Sequence, residues 1–346
     1  MSHGPLFGRA SFRHEAALYA SDEDFLALAV PFLADGIAVG DPTLLAVPAA
    51  LQRRVQKALG DPAGLTLLAG EQYRQPFTTL QRNYQMFLDC AGAGTGGRWL
   101  RQIRMIGAIP EPGIGTQWDG WVCYEAAIND LFATLPVWSV CPYDIRGVPA
   151  EVLDDVGRTH PYLAVDGEHR PNPRYTEPTT FLAERARNGI DPLDQSRPDL
   201  TLTDPAPTDG RRAAAALAAT TELDRETIDG LVVGISEVLA NAICHGRPPV
   251  ELRAWAAPDR VLVVVRDKGS GTSDPYAGYL PRRGEQVDGG LGLWITRQVC
   301  RRVTLTQTPE GFAVWLVAGT PYPVSFARGN GKGSWSGDGV SGGGPS

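Results

Sequence analysis

Cysteine is scarce in this 346-residue sequence and poorly spaced for the chemistry that uses it. Cys90, Cys123, Cys141, Cys244 and Cys300 are odd in number and include no CxxC pair. This argues against a disulfide framework or a zinc site and for a reducing compartment, so a cytoplasmic setting is expected. Positive charge is also short, with a formal net charge of −7. Wrapping nucleic acid needs a basic face, so no direct nucleic-acid contact is expected, whereas a protein partner is not excluded. The N-terminal MSHGPLFGRASFRHEAALY has no apolar h-region, and no run approaches the roughly 18 apolar residues of a bilayer span. Neither a secretory signal nor a membrane partner is expected. No GxxxxGK[ST] loop follows a strand-like segment; AGAGTGG (91–97) lacks its lysine and hydroxyl and reads as a surface loop.

What is present suffices for two cores: 43% of the residues are hydrophobic. Composition shifts twice. Residues 166–208 are rich in Pro, Asp and Arg and read as a linker with one short helix around FLAERAR. Residues 327–346 are Gly/Ser-rich and are expected to be disordered. Two globular segments remain, 10–165 and 209–320. In the first, strand-like text at 42–48, 65–70, 99–109 and 137–143 alternates with helix-like text at 21–40, 49–60 and 116–133. That alternation predicts an α/β domain with a mostly parallel sheet and helices on both faces. In the second, helices at 208–221 and about 226–245 precede a strand pair, 250–257 and 260–267. A Gly-started helix near 289–300 and a closing hairpin, 302–308 with 311–318, complete an α/β two-layer sandwich.

The second segment carries the chemistry. Within EVLANAICHG, Glu237, Asn241 and His245 lie at i, i+4 and i+8, on one helix face opposite the apolar stripe. A solvated polar face would explain them cheaply, but three features downstream do not fit that account. Asp267 ends an apolar strand and is followed by Lys268-Gly269-Ser270-Gly271, which presents a carboxylate at a sharp turn. Such a group can accept from an exocyclic amine like that of adenine. Gly289-Gly290-Leu291-Gly292 opens a helix whose bare amides suit phosphate. Between them, TSDPYAGYLPRRGEQVD, with Arg282 and Arg283, can act as a lid. Asn241 offers a hard oxygen for Mg2+ and Glu237 a base one turn away, which are parts that phosphoryl transfer requires.

In order and context these motifs resemble the N box and the two glycine boxes of GHKL (Bergerat-fold) ATPases. The form E-x-x-x-N-A-x-x-H-G is most similar to the anti-sigma factor serine/threonine kinases. The resemblance implies ATP and Mg2+ as cofactors, Glu237 as general base, Asn241 as the Mg2+ ligand and Asp267 as the adenine-reading carboxylate. It implies close nucleotide approach at Gly269 and Gly271, and the same at the phosphates for Gly290 and Gly292. His245 reads as a helix-end cap rather than a phosphate acceptor. The expected function is binding a sigma factor and phosphorylating a Ser/Thr of a STAS-type anti-sigma antagonist. The alternatives are a non-catalytic ATP-binding partner-switch module, or a sensor histidine kinase with a response-regulator partner. The Pro-rich stretch before the ATPase region, where a histidine kinase carries its phospho-accepting helix, disfavours the last.

The first segment has its own resemblance, over about residues 10–165. His14-Glu15, CPYD at 141–144 and THP at 159–161 resemble the MEDS sensory domain. The acid that this family often carries after an Ile-Gly pair is replaced by Ala108 after Ile106-Gly107. His14, Cys141, Tyr143, Asp144 and His160 are candidate lining for a pocket that binds a small-molecule signal. Two histidines and a cysteine also suit a metal, but they lie so far apart in sequence that the small-molecule reading is preferred. The signal's identity and the oligomeric state, a homodimer included, stay open.

Overall fold

In the computed structural model, which describes residues 11–69, 75–90, 101–110, 118–165, 167–189, 191–281 and 291–320, two sheets organise the chain. The first holds β1 (Arg13–Tyr19), β2 (Thr43–Ala46), β3 (Leu65–Leu67), β4 (Ile103–Gly107), β5 (Val137–Asp144), β6 (Tyr162–Val165) and β7 (Glu168–Pro171). Their order is β3-β2-β4-β5-β1-β6-β7, and every pairing is parallel except β6 with β7. Helices α1 (Asp22–Val39) and α2 (Ala49–Leu59) cover one face. The other face carries α3 (Pro76–Cys90), α4 (Trp118–Leu131), α5 (Ala150–Thr159) and α6 (Pro178–Asn188). The two-residue period of a strand divides the core: Leu45 and Ile106 face the first layer, while Leu44 and Met105 face the second.

The interior strand β1 is absent from the segments that sequence pattern picks out. Parallel strands buried on both faces read as continuous apolar runs. Here His14 and Glu15, both fully buried, interrupt that run.

The second sheet is antiparallel, in the order β11-β12-β10-β9-β8. Its strands are β8 (Leu200–Thr203), β9 (Glu251–Ala257), β10 (Arg260–Asp267), β11 (Arg302–Thr308) and β12 (Gly311–Gly319). Helices α7 (Pro207–Ala218), α8 (Arg225–His245) and α9 (Gly292–Val299) form the second layer. Asp224 caps α8 by accepting from Thr227 N at 2.7 Å, and Leu231, Ile235, Leu239 and Ala242 bury the expected stripe. By length and composition α8 could cross a membrane (21 residues, hydropathy 1.5), but its Leu231, Ile235 and Leu239 are fully buried against the sheet.

The stretch 166–208, expected to be a linker with one helix, is built into both domains. Its β7 adds an antiparallel edge to the first sheet, α6 packs Phe181 into the first core, and β8 forms the edge of the second sheet. A short 3-10 turn, Pro192–Gln195, closes the back of the second sheet. There Trp255 Nε1 donates to Ser196 O at 3.1 Å and Trp315 Nε1 to Asp194 Oδ2 at 3.4 Å. Four-residue strands such as LTLT carry too little pattern to announce themselves; an edge strand exists because a neighbour pairs with it. AGAGTGG, Arg282, Arg283, Gly290 and the 327–346 tail lie outside the described residues.

Candidate functional site

Three elements of the second domain converge. On α8, Glu237 and Asn241 are half-buried and make no hydrogen bond with a described residue. Gly292 opens α9 directly opposite them. A Cβ at Gly292 would sit 2.6 Å from Glu237 Oε2 and 3.5 Å from Asn241 Nδ2, so glycine lets the Glu237 carboxylate lie against the helix start, and a larger residue would push it aside. The preceding Leu291 provides no side-chain cap, which leaves the first amides of α9 available to a ligand.

The third element is the β10 exit. Asp267 is 5% exposed, and its Oδ1 accepts from Gly269 N at 2.6 Å and from Arg247 N at 3.1 Å. Those two bonds orient the carboxylate and leave Oδ2 with no partner among the described residues. Gly271 adopts φ +64°, and a Cβ there would lie 2.1 Å from Phe312 Cδ2. The turn therefore requires glycine twice over, for backbone and for space. His245 is exposed and caps nothing among the described residues: the C-cap is Gly246, whose N–H donates to Ala242 O at 3.0 Å.

The first domain contains a different kind of cluster. His14 (β1), Cys141 and Tyr143 (β5) and His160 (the C-cap of α5) come together, all nearly fully buried. Asp144 does not join them. It follows Tyr143 on a strand and so points to the opposite face, where it binds Arg146 through Oδ1 at 2.8 Å. Its place is taken by Glu125 on α4, which the sequence reading missed. The available signal was a lone acid within the apolar WVCYEAAI. Burial works to raise the Glu125 carboxyl; hydrogen bonds and charge from the two imidazoles, in their protonated form, outweigh that and bring it to about 2. Burial lowers His14, and the neighbouring His160 lowers it further. Burial also pushes the Cys141 thiol and the Tyr143 phenol well up. A cavity of ≈ 30 Å³ adjoins the cluster, lined by Phe12, Met105, Trp121, Glu125, Phe132 and Cys141 among others.

Comparison with known families assigns both halves. Residues 13–161 match the MEthanogen/methylotroph, DcmR sensory domain (MEDS), and residues 204–318 match the histidine kinase-like ATPase domain. The chain joins a MEDS domain to a histidine kinase-like ATPase domain. A domain of that kind implies ATP as its ligand. No curated protein matches the chain. Among solved structures, the NMR structure of the histidine kinase domain of the E. coli osmosensor EnvZ is 19% identical. The match covers 40% of this chain and 99% of that one, at a TM-score of 0.21, too low to say anything of shared function.

The described start of the segment expected to act as a lid, through Tyr279, packs on the MEDS domain. Tyr279 is 3% exposed and belongs to the MEDS-side core, edge-on to Phe77 at 5.1 Å. Arg297 of α9 stacks over Tyr279 at 4.5 Å, and its Nε donates to Ala277 O at 3.2 Å. Tyr276 hydroxyl donates to Asp130, Thr78 hydroxyl to Gln298, and Arg302 to Asp119, each across the domain boundary. Burial pushes the Arg302 guanidinium down to about 10. The same α9 thus touches Glu237 through Gly292 and the MEDS domain through Arg297 and Gln298.

Proposed function

We propose that this chain is an ATP-dependent anti-sigma regulator. It would hold a sigma factor and phosphorylate a Ser/Thr of a STAS-type antagonist, under control of a signal read by the MEDS domain. The observation that best supports catalysis is the Glu237 carboxylate, without a partner among the described residues, at the uncapped start of α9 and one turn from Asn241. Glu237 there accepts the proton of an incoming hydroxyl while the α9 amides hold phosphate oxygens. The Asn241 amide, without a partner among the described residues, fits Mg2+, which when bound would neutralise phosphate charge. Asp267 Oδ2, held by the bonds to Oδ1, accepts from the adenine amine.

The choice of partners rests on the E-x-x-x-N-A-x-x-H-G form of the α8 motif. Three of the four described histidines are poorly presented for phosphorylation, His14 and His160 being fully buried and His169 paired with Glu15. The fourth, His245, is exposed but lies on α8 of the ATPase domain itself. Control by the MEDS domain rests on the docking of Tyr276 and Tyr279.

The test is incubation of the full chain with Mg-ATP and a candidate STAS protein, read by intact mass. The expected result is one acid-stable phosphate on the STAS protein and none on the chain. An acid-labile phosphate on the chain itself would establish the histidine-kinase alternative. ATP binding with no transfer to any STAS partner would leave a non-catalytic switch module instead.

A further inference from the structure

The geometry points to a divalent transition-metal site in the MEDS domain, formed by His14, Glu125, Cys141 and His160. It is separate from the kinase reading and stands or falls independently of it. These four residues come from β1, α4, β5 and the end of α5, and are at most 6% exposed. Their ligand atoms all lie within 4.8 Å of one another. Around Glu125 Oε2, His14 Nε2 stands at 2.9 Å, His160 Nε2 at 3.3 Å and Cys141 Sγ at 3.9 Å. Cys141 Sγ is 3.4 Å from His14 Nε2. A tetrahedral ion with bonds of about 2.0–2.3 Å separates its ligand atoms by roughly 3.3–3.8 Å, in the middle of these distances.

Hydrogen bonding at the far side of each ring decides what the cluster presents. Asn129 Nδ2 donates to Glu125 O, Ala126 O and Thr159 O at 3.0, 3.2 and 2.8 Å. Its Oδ1 therefore faces His14 Nδ1, 3.1 Å away, and can only accept, so Nδ1 carries the hydrogen. His160 Nδ1 lies 2.9 Å from Val156 O, another pure acceptor, and carries its hydrogen too. When neutral, His14 and His160 then both turn Nε2 lone pairs toward the Glu125 carboxylate, that of His14 also within reach of the Cys141 thiol. His160 Nε2 makes no hydrogen bond there despite its proximity.

Lone pairs facing a buried carboxylate repel. Protonating both rings would relieve both contacts but leave two imidazolium ions with ring centroids 4.1 Å apart. One divalent cation relieves both at once. An outer acceptor on the remaining ring nitrogen is also how metal-binding histidines are oriented. Two imidazoles, a thiolate and a carboxylate suit Zn2+, Co2+ or Fe2+ rather than Mg2+ or Ca2+. The adjoining cavity of ≈ 30 Å³ reaches Glu125 and Cys141. At about one to two water-sized spheres, it can admit a small fifth ligand to the ion.

The test uses the full chain, reduced, stripped with chelator and titrated with Co2+ in the absence of nucleotide. The expected result is one Co2+ per chain, with thiolate-to-cobalt charge-transfer absorption and the intense visible bands of a tetrahedral ion. Cys141→Ser should remove the charge-transfer absorption, and Cys244→Ser, at an exposed cysteine, should leave it unchanged. His160→Gln should lower Co2+ affinity at least tenfold. The proposal is overturned if wild type binds no stoichiometric Co2+, if the spectrum is that of an octahedral oxygen site, or if the charge-transfer absorption survives in Cys141→Ser. The wild-type titration alone can refute the site, so a variant that fails to fold does not shelter it.

Discussion

The two polar clusters of this chain are built in opposite ways. In the ATPase domain, half-buried Glu237 and Asn241, and the Oδ2 of buried Asp267, have no partner among the described residues, beside a helix start with no side-chain cap. In the MEDS domain, His14, Glu125, Cys141 and His160 are sealed in the core and turned toward one another. The difference follows from solvation. A polar group near water waits for a ligand at little cost, whereas a buried one must be matched within the fold or by a bound ion. Substitutions in the first cluster should therefore change chemistry and binding without much loss of stability. Substitutions in the MEDS core, and in the lid segment docked on it, should act on stability and coupling.

The largest effect is expected at Glu237. Glu237→Ala should slow phosphoryl transfer by about 10²–10⁴-fold, with nucleotide affinity and melting temperature close to wild type. Loss of nucleotide binding together with transfer, or of neither, would sink the base assignment and with it the contrast. Tyr279→Ala tests the other side of the comparison. Removing this buried ring should cost about 3–5 kcal/mol and separate one thermal transition into two, as the lid leaves the MEDS core. A single transition at the wild-type temperature would mean that the docking carries no energy.

Asp267→Asn should weaken ATP binding by about 1.5–3 kcal/mol, or roughly 10–150-fold, because the adenine amine would lose its charged acceptor. Calorimetric titration with ATP and with GTP would show whether the loss is specific to adenine.

The smallest effect is expected at the α8 cap. The bond from Thr227 N to Asp224 holds its carboxyl below the usual value of 3.8. Stability from a depressed carboxylate is fully present above the unfolded value and is lost as pH falls through the folded one. Asp224→Ala should thus melt slightly below wild type at neutral pH, and the two curves should converge below pH 3.8 as the folded value is crossed. A gap that stayed constant down to acid pH would mean that the cap contributes nothing through its charge.

Legibility in the sequence followed from the same contrast. The ATPase motifs could be read because each is local: a helix face repeats every turn, and the two glycine boxes are written in consecutive residues. Even there, His245 was mistaken for the cap that Gly246 provides. The MEDS cluster could be read only in part. His14, Cys141, Tyr143 and His160 were found, but Asp144 was placed with them although strand alternation turns it away. Glu125, a single acid in an apolar helix, was passed over. The distance in sequence between the histidines and the cysteine was taken as evidence against a metal. In a parallel sheet it is no such thing, since crossover connections bring remote strands side by side: Ala16 pairs with Cys141 across 125 residues.

The sequence by itself determined the two α/β domains, the order of the ATPase motifs and which residues of α8 face the core, because period and turn chemistry are properties of neighbours. Only the tertiary structure decided that Glu125 completes the buried cluster, that residues 166–208 belong to both sheets and that Tyr279 is anchored in the MEDS core. Each of these depends on what packs against a residue from far along the chain, and no local pattern encodes that.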